Sequence, residues 1–351
     1  MPPGNTSAAQ PPDTKLIFVV GNSRSGTTMM ARIFGLHPSV LMFRELHYFE
    51  ELSTVANSQD TLNHEAARSL LQTLLSIQRI GYMAPRQQEL FSEEAEELLA
   101  SLGGPITRDR LFQRFLRYET TREGRSAGCE QTPRNIFYLD RIFELFPDAT
   151  VIEMVRDPRD VLLSKKRKWR RGFLGGDGMP VRAAALSWAN YHPLVTSRLW
   201  SSAIQAGNRW SQDDRVLRIQ FEKFLQDPDS HIQKICSACG IAFNPSMLDV
   251  PHIGSSLSTD GQSHGINRGA TGRWRQGLNH TEIHLCEQAT RNEMLQLGYE
   301  PAGERPNLLL LLASYLQIPV KLSAALILNL GRLGSVREAV VRRRTARHQS
   351  S

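Results

Sequence analysis

Four clusters of reactive side chains each follow directly on a short apolar run: GNSRSGTT after Val20, RELHYF after Phe43, EQTP after Cys129 and RDPRD after Val155. The first suits a phosphate. Gly21 and Gly26 permit a tight loop with inward-turned backbone N–H groups, and a helix opening behind it would add the positive end of its dipole. Thr27 and Thr28 set two hydroxyls beside that position. A GxxxxGK(S/T) loop carries lysine where this chain has Thr27, and that lysine serves the β- and γ-phosphates of a triphosphate. Its absence argues against an ATPase or kinase, whereas the single cation inside the loop, Arg24, suits a ligand of lower charge. In the last cluster Arg156 leaves the end of an apolar run and Ser164 follows eight residues later. About two turns into a helix, that serine and the guanidinium can bracket one phosphate, the arginine giving a charge-assisted fork. Glu45 and His47 share a face if their segment is extended, and a carboxylate there can take the proton of an attacking hydroxyl. Taken singly, each cluster has a plain alternative: a Gly/Ser turn, a helix cap, a surface glutamate.

The elements that must position these groups follow from hydropathy. Leu16–Val20, Val40–Phe43, Ser126–Cys129, Thr150–Val155 and Val216–Phe221 are rich in β-branched or aromatic residues and several lack alternation, the pattern of parallel strands covered on both faces. Helical periodicity occupies Thr27–Leu36 and residues 64–79, 92–102, 107–122, 134–146, 180–206 and 280–297. Strands alternating with helices predict an α/β chain with a central parallel sheet. In such a sheet the carboxyl ends of the strands line one edge, where ligands bind. All four reactive clusters fall there.

As a set, these segments resemble the sulfotransferases that use 3′-phosphoadenosine 5′-phosphosulfate. GNSRSGTTMMARIFGLHP is similar to their 5′-phosphosulfate loop, and Arg156 to Ser164 to their RxPxDxxxS 3′-phosphate motif. QFEKFLQDP (220–228) resembles a further strand-end segment, and NRGATGRWR (267–275) the late loop whose basic residue and glycine close over the 3′-phosphate, here Arg268 and Gly269. The likeness covers residues 15–300. It implies a P-loop-like three-layer fold, donor contacts from Arg24, Ser25, Gly26, Thr27, Thr28, Arg156, Ser164, Arg268 and Gly269, and in-line displacement with no metal. RELHYF resembles the KExHFF segment of glycosaminoglycan sulfotransferases, which makes Glu45 the expected general base, His47 an accessory hydrogen-bonding group and Arg24 the group that stabilises charge on the bridging oxygen. Glu130, Gln131 and Arg134 fall where the family has an acceptor-side EKTP segment. Gln131 replaces its lysine, which implies either a neutral acceptor or a weaker charge stabilisation compensated by Arg134. Met29 stands where cytosolic members stack a tryptophan on adenine. The resemblance leaves the acceptor open, with a hydroxyl or amine of a carbohydrate or lipid ahead of protein tyrosine. The rival readings are a kinase-like P-loop protein and a catalytically silent nucleotide binder.

The organisation expected is a disordered segment over 1–14, a sulfotransferase domain over 15–304 with a helical insertion at 60–122, and a C-terminal extension over 305–351. The N-terminal segment has neither a basic start nor an apolar core, which predicts a cytoplasmic protein. Of four cysteines only Cys236 and Cys239 have CxxC spacing, with no second pair, so they read as thiols on a helix face. The net charge of +7 is concentrated: residues 331–351 hold six arginines against Glu338, and 165–171 carry six cations in seven positions. No aromatic-interleaved stripe or zinc finger accompanies them, which argues against nucleic acid. Leu308–Leu330 is apolar but interrupted by Pro319 and Lys321. Two amphipathic helices are expected there, lying on the body, on a second copy of the chain, or peripherally on the inner face of a membrane.

Overall fold

The computed structural model describes residues 14–53, 57–82, 87–167, 188–250, 265–266, 269 and 271–329. Five strands form one sheet: β1 (Lys15–Gly21), β2 (Val40–Met42), β3 (Ala127–Glu130), β4 (Thr150–Val155) and β5 (Val216–Gln220). Their order is β2-β3-β1-β4-β5 and every pairing is parallel. Central β1 is buried on both faces. Leu16, Phe18 and Val20 join one apolar cluster, while Ile17 and Val19 join another on the opposite face. This two-sided burial is why the strand reads as a continuous apolar run. The registers Phe18 to Glu130 and Gly21 to Met154 bring the carboxyl ends of β3, β1 and β4 to one edge. The chain leaves β1 toward β2 and β3 on one side and returns to β4 and β5 on the other, so the crevice between these loops is the switch point of the sheet.

The described helices are α1 (Thr27–Gly35), α2 (His64–Arg79), α3 (Ser92–Ala100), α4 (Arg108–Arg122), α5 (Leu139–Leu145), α6 (Pro158–Lys166), α7 (Pro193–Asn208), α8 (Phe221–Gln226), α9 (Pro228–Ala238), α10 (Trp274–Gly277), α11 (His280–Gln296) and α12 (Leu308–Asn329). Helices α2 to α4 make up the expected 60–122 region. A backbone hydrogen bond, Leu62 N to Ile106 O at 2.8 Å, joins the segment before α2 to the segment before α4. Helices α2 and α4 contribute Leu71, Leu74, Phe112 and Phe115 to the cluster that also holds Tyr48 and Phe49.

Three expectations change. The helix placed at 180–206 is interrupted: Trp188 and Ala189 are helical, the chain turns at Asn190 with His192 extended, and a helix resumes at Pro193. A proline lacks the N–H an interior position needs and drives its predecessor out of the helical region. Residues 180–187 lie outside the described set. The helix placed at 134–146 is a 3₁₀ segment, Pro133–Tyr138, running into α5. The two C-terminal helices expected on either side of Pro319 are a single helix, α12, with Pro319 inside it. The N-terminal segment through residue 13, most of the 165–171 basic run and the arginine-rich tail lie outside the described residues. The four cysteines are free and buried.

Candidate functional site

The phosphate loop is built by backbone conformation. β1 ends at Gly21 with φ of 138°, and a Cβ there would sit 2.4 Å from the Met154 carbonyl oxygen on β4. The loop enters α1 through Gly26 at φ 100°, where a Cβ would come within 2.5 Å of the Phe221 ring. Arg24, between them, holds φ 77°, and His47 holds φ 51°. Among the described residues these two are the non-glycines with positive φ, a conformation that persists where its surroundings over-determine it, often at functional sites.

Arg24 reaches across to α6, where its Nε donates to Ser164 Oγ at 2.9 Å. Arg156 Nη1 donates to the Arg24 carbonyl at 3.4 Å, and its guanidinium lies 4.6 Å over the Phe221 ring. The two motifs, far apart in the chain, therefore meet at the ends of adjacent strands. Burial, then the charge of Arg156, lower the Arg24 pKa, with Glu45 acting in the opposite direction. Both guanidiniums stay charged at neutral pH. Two cations confined side by side repel, and a bound anion relieves that repulsion. Ser25 Oγ is buried with no hydrogen-bond partner in the protein, which a phosphate oxygen would also satisfy. Loop and cations fit a phosphate-bearing ligand.

Of the late loop, Arg268 lies outside the described residues. Gly269 is exposed, and its carbonyl accepts from Arg273 Nε at 3.1 Å. Asp160 fastens the following turn to α6, with Oδ2 accepting from Gly272 N at 2.7 Å and Oδ1 from Trp274 N at 3.0 Å. Trp274 packs with Leu162 and Leu163, and the Arg159 guanidinium stacks 3.9 Å over its ring.

On the other side of β1, charges of both signs gather beyond β2. Gln131 Nε2 lies 3.3 Å from Thr27 Oγ1 and 3.3 Å from Glu45 Oε1, so one amide links the phosphate loop to the carboxylate. His47 Nε2 is 3.5 Å from Glu45 Oε2, and its Nδ1 is 3.3 Å from Glu50 Oε2. Burial alone would lower the His47 pKa, but the hydrogen bonds and charges of Glu45 and Glu50 together raise it to about 9. At neutral pH His47 is an imidazolium that donates from both nitrogens. The Glu45 side chain is 43% exposed and the His47 side chain 18%. Behind them Tyr48 stacks on Phe112 at 3.7 Å and its hydroxyl donates to Asp109 at 3.0 Å. The aromatic residues of RELHYF are thus anchors that hold the turn. A cleft of about 380 Å³ lined by Thr28, Arg32, Met42, Phe43 and Gln131 opens beside this group. A larger hollow of about 540 Å³, lined by Arg218, Lys223, His231 and Lys234, lies at β5, two strands from β1.

Two residues expected on the acceptor side are engaged by neighbouring groups of the protein. Glu130 is buried, and its carboxylate accepts from Leu46 N, Thr132 N, Thr132 Oγ1 and Asn135 Nδ2, so no oxygen is left for an acceptor. Burial is the main cause raising its pKa to about 7, against the pull of those donors. Thr132 Oγ1 also accepts from His47 N at 3.4 Å, which makes Glu130 a group that holds the Glu45–His47 backbone in place. Arg134, expected near Gln131's missing lysine, is 61% exposed and pairs with Glu50 at 2.6 Å. Sequence reasoning assigned no role to Glu50, Thr132 or Asp160. Asp160 and Thr132 carried a signal, as the aspartate of RxPxD and the threonine of the EKTP-like segment.

Comparison with known proteins gives these observations a setting. A family model described as "Sulfotransferase family" matches residues 17–245. The nodulation protein NoeE of Sinorhizobium fredii is 23% identical over 313 residues, covering 81% of this chain and 66% of that protein. A protein-tyrosine sulfotransferase of Drosophila melanogaster is 21% identical over 309 residues, covering 83% of this chain and 53% of its own length. The chain thus spans between half and two thirds of these two relatives. Among solved structures, the sulfotransferase domain from the curacin biosynthetic pathway superposes with a TM-score of 0.54 at 18% identity, covering 82% of this chain and 98% of that domain. That likeness is one of fold.

Proposed function

The chain belongs to the sulfotransferase family, and from that premise we propose that it transfers a sulfuryl group from 3′-phosphoadenosine 5′-phosphosulfate to a hydroxyl of a carbohydrate or lipid acceptor. One observation carries the reading beyond nucleotide binding: Gln131 ties Glu45 to Thr27, which sets a carboxylate at the mouth of the phosphate loop. The donor supplies the sulfuryl group and departs as the bisphosphate. The residues that would hold its 5′ end are Ser25, Gly26, Thr27 and Thr28. Arg156 and Ser164, with Gly269 and Arg268, would hold the 3′-phosphate. Arg24, positioned by Ser164, places its charge where the leaving oxygen gains negative charge. Glu45 accepts the acceptor proton. The His47 imidazolium orients Glu45, while Glu130 and Thr132 fix the backbone beneath both. Gln131 brings no charge to the centre and Arg134 is paired with Glu50; among the described residues Arg24 and Arg156 bring their guanidiniums together at the loop. The segment Phe43 to Phe49 supports a carbohydrate acceptor through its resemblance to glycosaminoglycan sulfotransferases. The tyrosine-specific name of one relative keeps a phenolic hydroxyl among the acceptors to test.

The test is a transfer assay with labelled donor against separate carbohydrate, lipid and tyrosine-peptide acceptors. Label transferred to carbohydrate or lipid supports the proposal. Transfer to the peptide alone overturns the acceptor assignment. Tight binding of the bisphosphate with no product would indicate a silent binder, and phosphoryl transfer from ATP a kinase.

A further inference from the structure

Helix α12 is built inside out for a water-soluble surface. Its less exposed positions recur at helical spacing through Leu311, Ser314, Ile318, Lys321, Ala325 and Leu328, so the stripe facing the body carries the helix's one charge and a serine among apolar residues. The opposite face presents Leu309, Leu312, Leu316, Val320 and Ile327, with Leu316 65% exposed and Leu309 79%. Gln317 and Ser323 are the polar interruptions on that side. Only 6% of the apolar stretch Leu308–Leu328 is buried. The one charge in the helix is turned away from solvent. Lys321 Nζ donates to Tyr191 O at 2.6 Å and Trp188 O at 3.4 Å, and lies over both aromatic rings at 5.4 and 4.8 Å. A turn or two earlier the Ser314 carbonyl meets His192 Nε2 at 2.9 Å. A row of exposed leucines of this length is rare on a protein surface that meets only water.

We propose that α12 seats the protein on a lipid bilayer bearing anionic headgroups, lying in the interface plane with its leucine face in the acyl region. Two arguments select this occupant. The charge that follows is complementary: residues 331–351 hold six arginines and one glutamate, the composition that anionic lipid attracts. The contacts at Ser314 and Lys321 lie on one flank about 10 Å apart along the axis, taking ~1.5 Å per residue. A helix clamped to the protein body along its side can lie on a membrane, whereas crossing one would strip Lys321 of its carbonyl partners near the bilayer centre. This inference stands apart from the donor and acceptor assignments.

Flotation of the full chain with vesicles tests it. The protein should float with phosphatidylcholine vesicles containing phosphatidylserine, and at least ~10-fold less with phosphatidylcholine alone, since the arginines contribute only where the surface is anionic. L312E combined with L316E should cut flotation by at least ~10-fold while leaving bisphosphate binding and the melting temperature unchanged, because both side chains already face outward. An alkaline carbonate wash should release the bound protein. Retention after that wash would mean a spanning helix and overturn the in-plane arrangement. No flotation, with a lipid-free dimer that the same double substitution dissociates, would assign the face to a second copy. No flotation and no dimer would equally end the proposal.

Discussion

The two sides of β1 handle charge in opposite ways. Between β1 and β4, two guanidiniums are brought together by a loop whose shape depends on glycines that no side chain can replace. Between β1 and β2, Glu45, His47, Glu50 and Arg134 alternate in sign and largely neutralise one another. A backbone-defined pocket that brings two guanidiniums together selects for an anion. A balanced chain of titratable groups can shift a proton with little change in net charge. The same edge of one sheet thus separates gripping a donor from activating an acceptor.

The sharpest way to break that contrast is at the carboxylate. Glu45→Gln removes the proton acceptor and should lower turnover by about 10²- to 10⁴-fold, with the bisphosphate affinity by calorimetry unchanged. A parallel loss of affinity would merge the two halves into one. On the other side, Gly21→Ala forces a Cβ against the Met154 carbonyl at a left-handed φ. We expect a loss of about 3 kcal/mol in thermal or denaturant unfolding, and a variant as stable as the parent would show that the loop is not held by its backbone. Arg156→Ala should weaken bisphosphate binding in the same calorimetry by about 1.5–3 kcal/mol, the worth of a charge-assisted contact, and an unchanged affinity would remove Arg156 from the donor side. The smallest effect is on pH. The His47 pKa is raised from 6.5 to about 9, so the stabilisation from its protonated form is complete below about 6.5 and is lost as pH climbs through about 9. Melts of the parent and of His47→Asn should converge across that window, and a constant gap would mean that His47 is not paired as a cation.

Much of this contrast is readable before any coordinates. Strand positions came through because buried parallel strands are apolar on both faces, and α2 because its periodicity holds over 64–79. Arg24, Arg156 and Ser164 are legible because their spacing relative to strand ends implies one edge. The Arg24–Ser164 contact, by contrast, links residues 140 positions apart, and the Glu130 donors come both from Leu46 and from Thr132 and Asn135 just downstream. No local pattern distinguishes a carboxylate aimed into a cleft from one folded beneath it. Pro319 misled for a related reason. The cost of a missing N–H is a local rule, whereas the contacts at Ser314 and Lys321 that accompany the continuous helix are tertiary.

The burial of Lys321 has a consequence for proteolysis. Between Arg305 and Arg332 it is the sole basic residue, hence the sole peptide bond in that stretch open to trypsin by sequence. With its amine capped by two carbonyls and two aromatic rings, the native protein should pass through limited digestion uncut at this point. Trp188→Ala, by uncovering the amine, should let the protease nick the helix there.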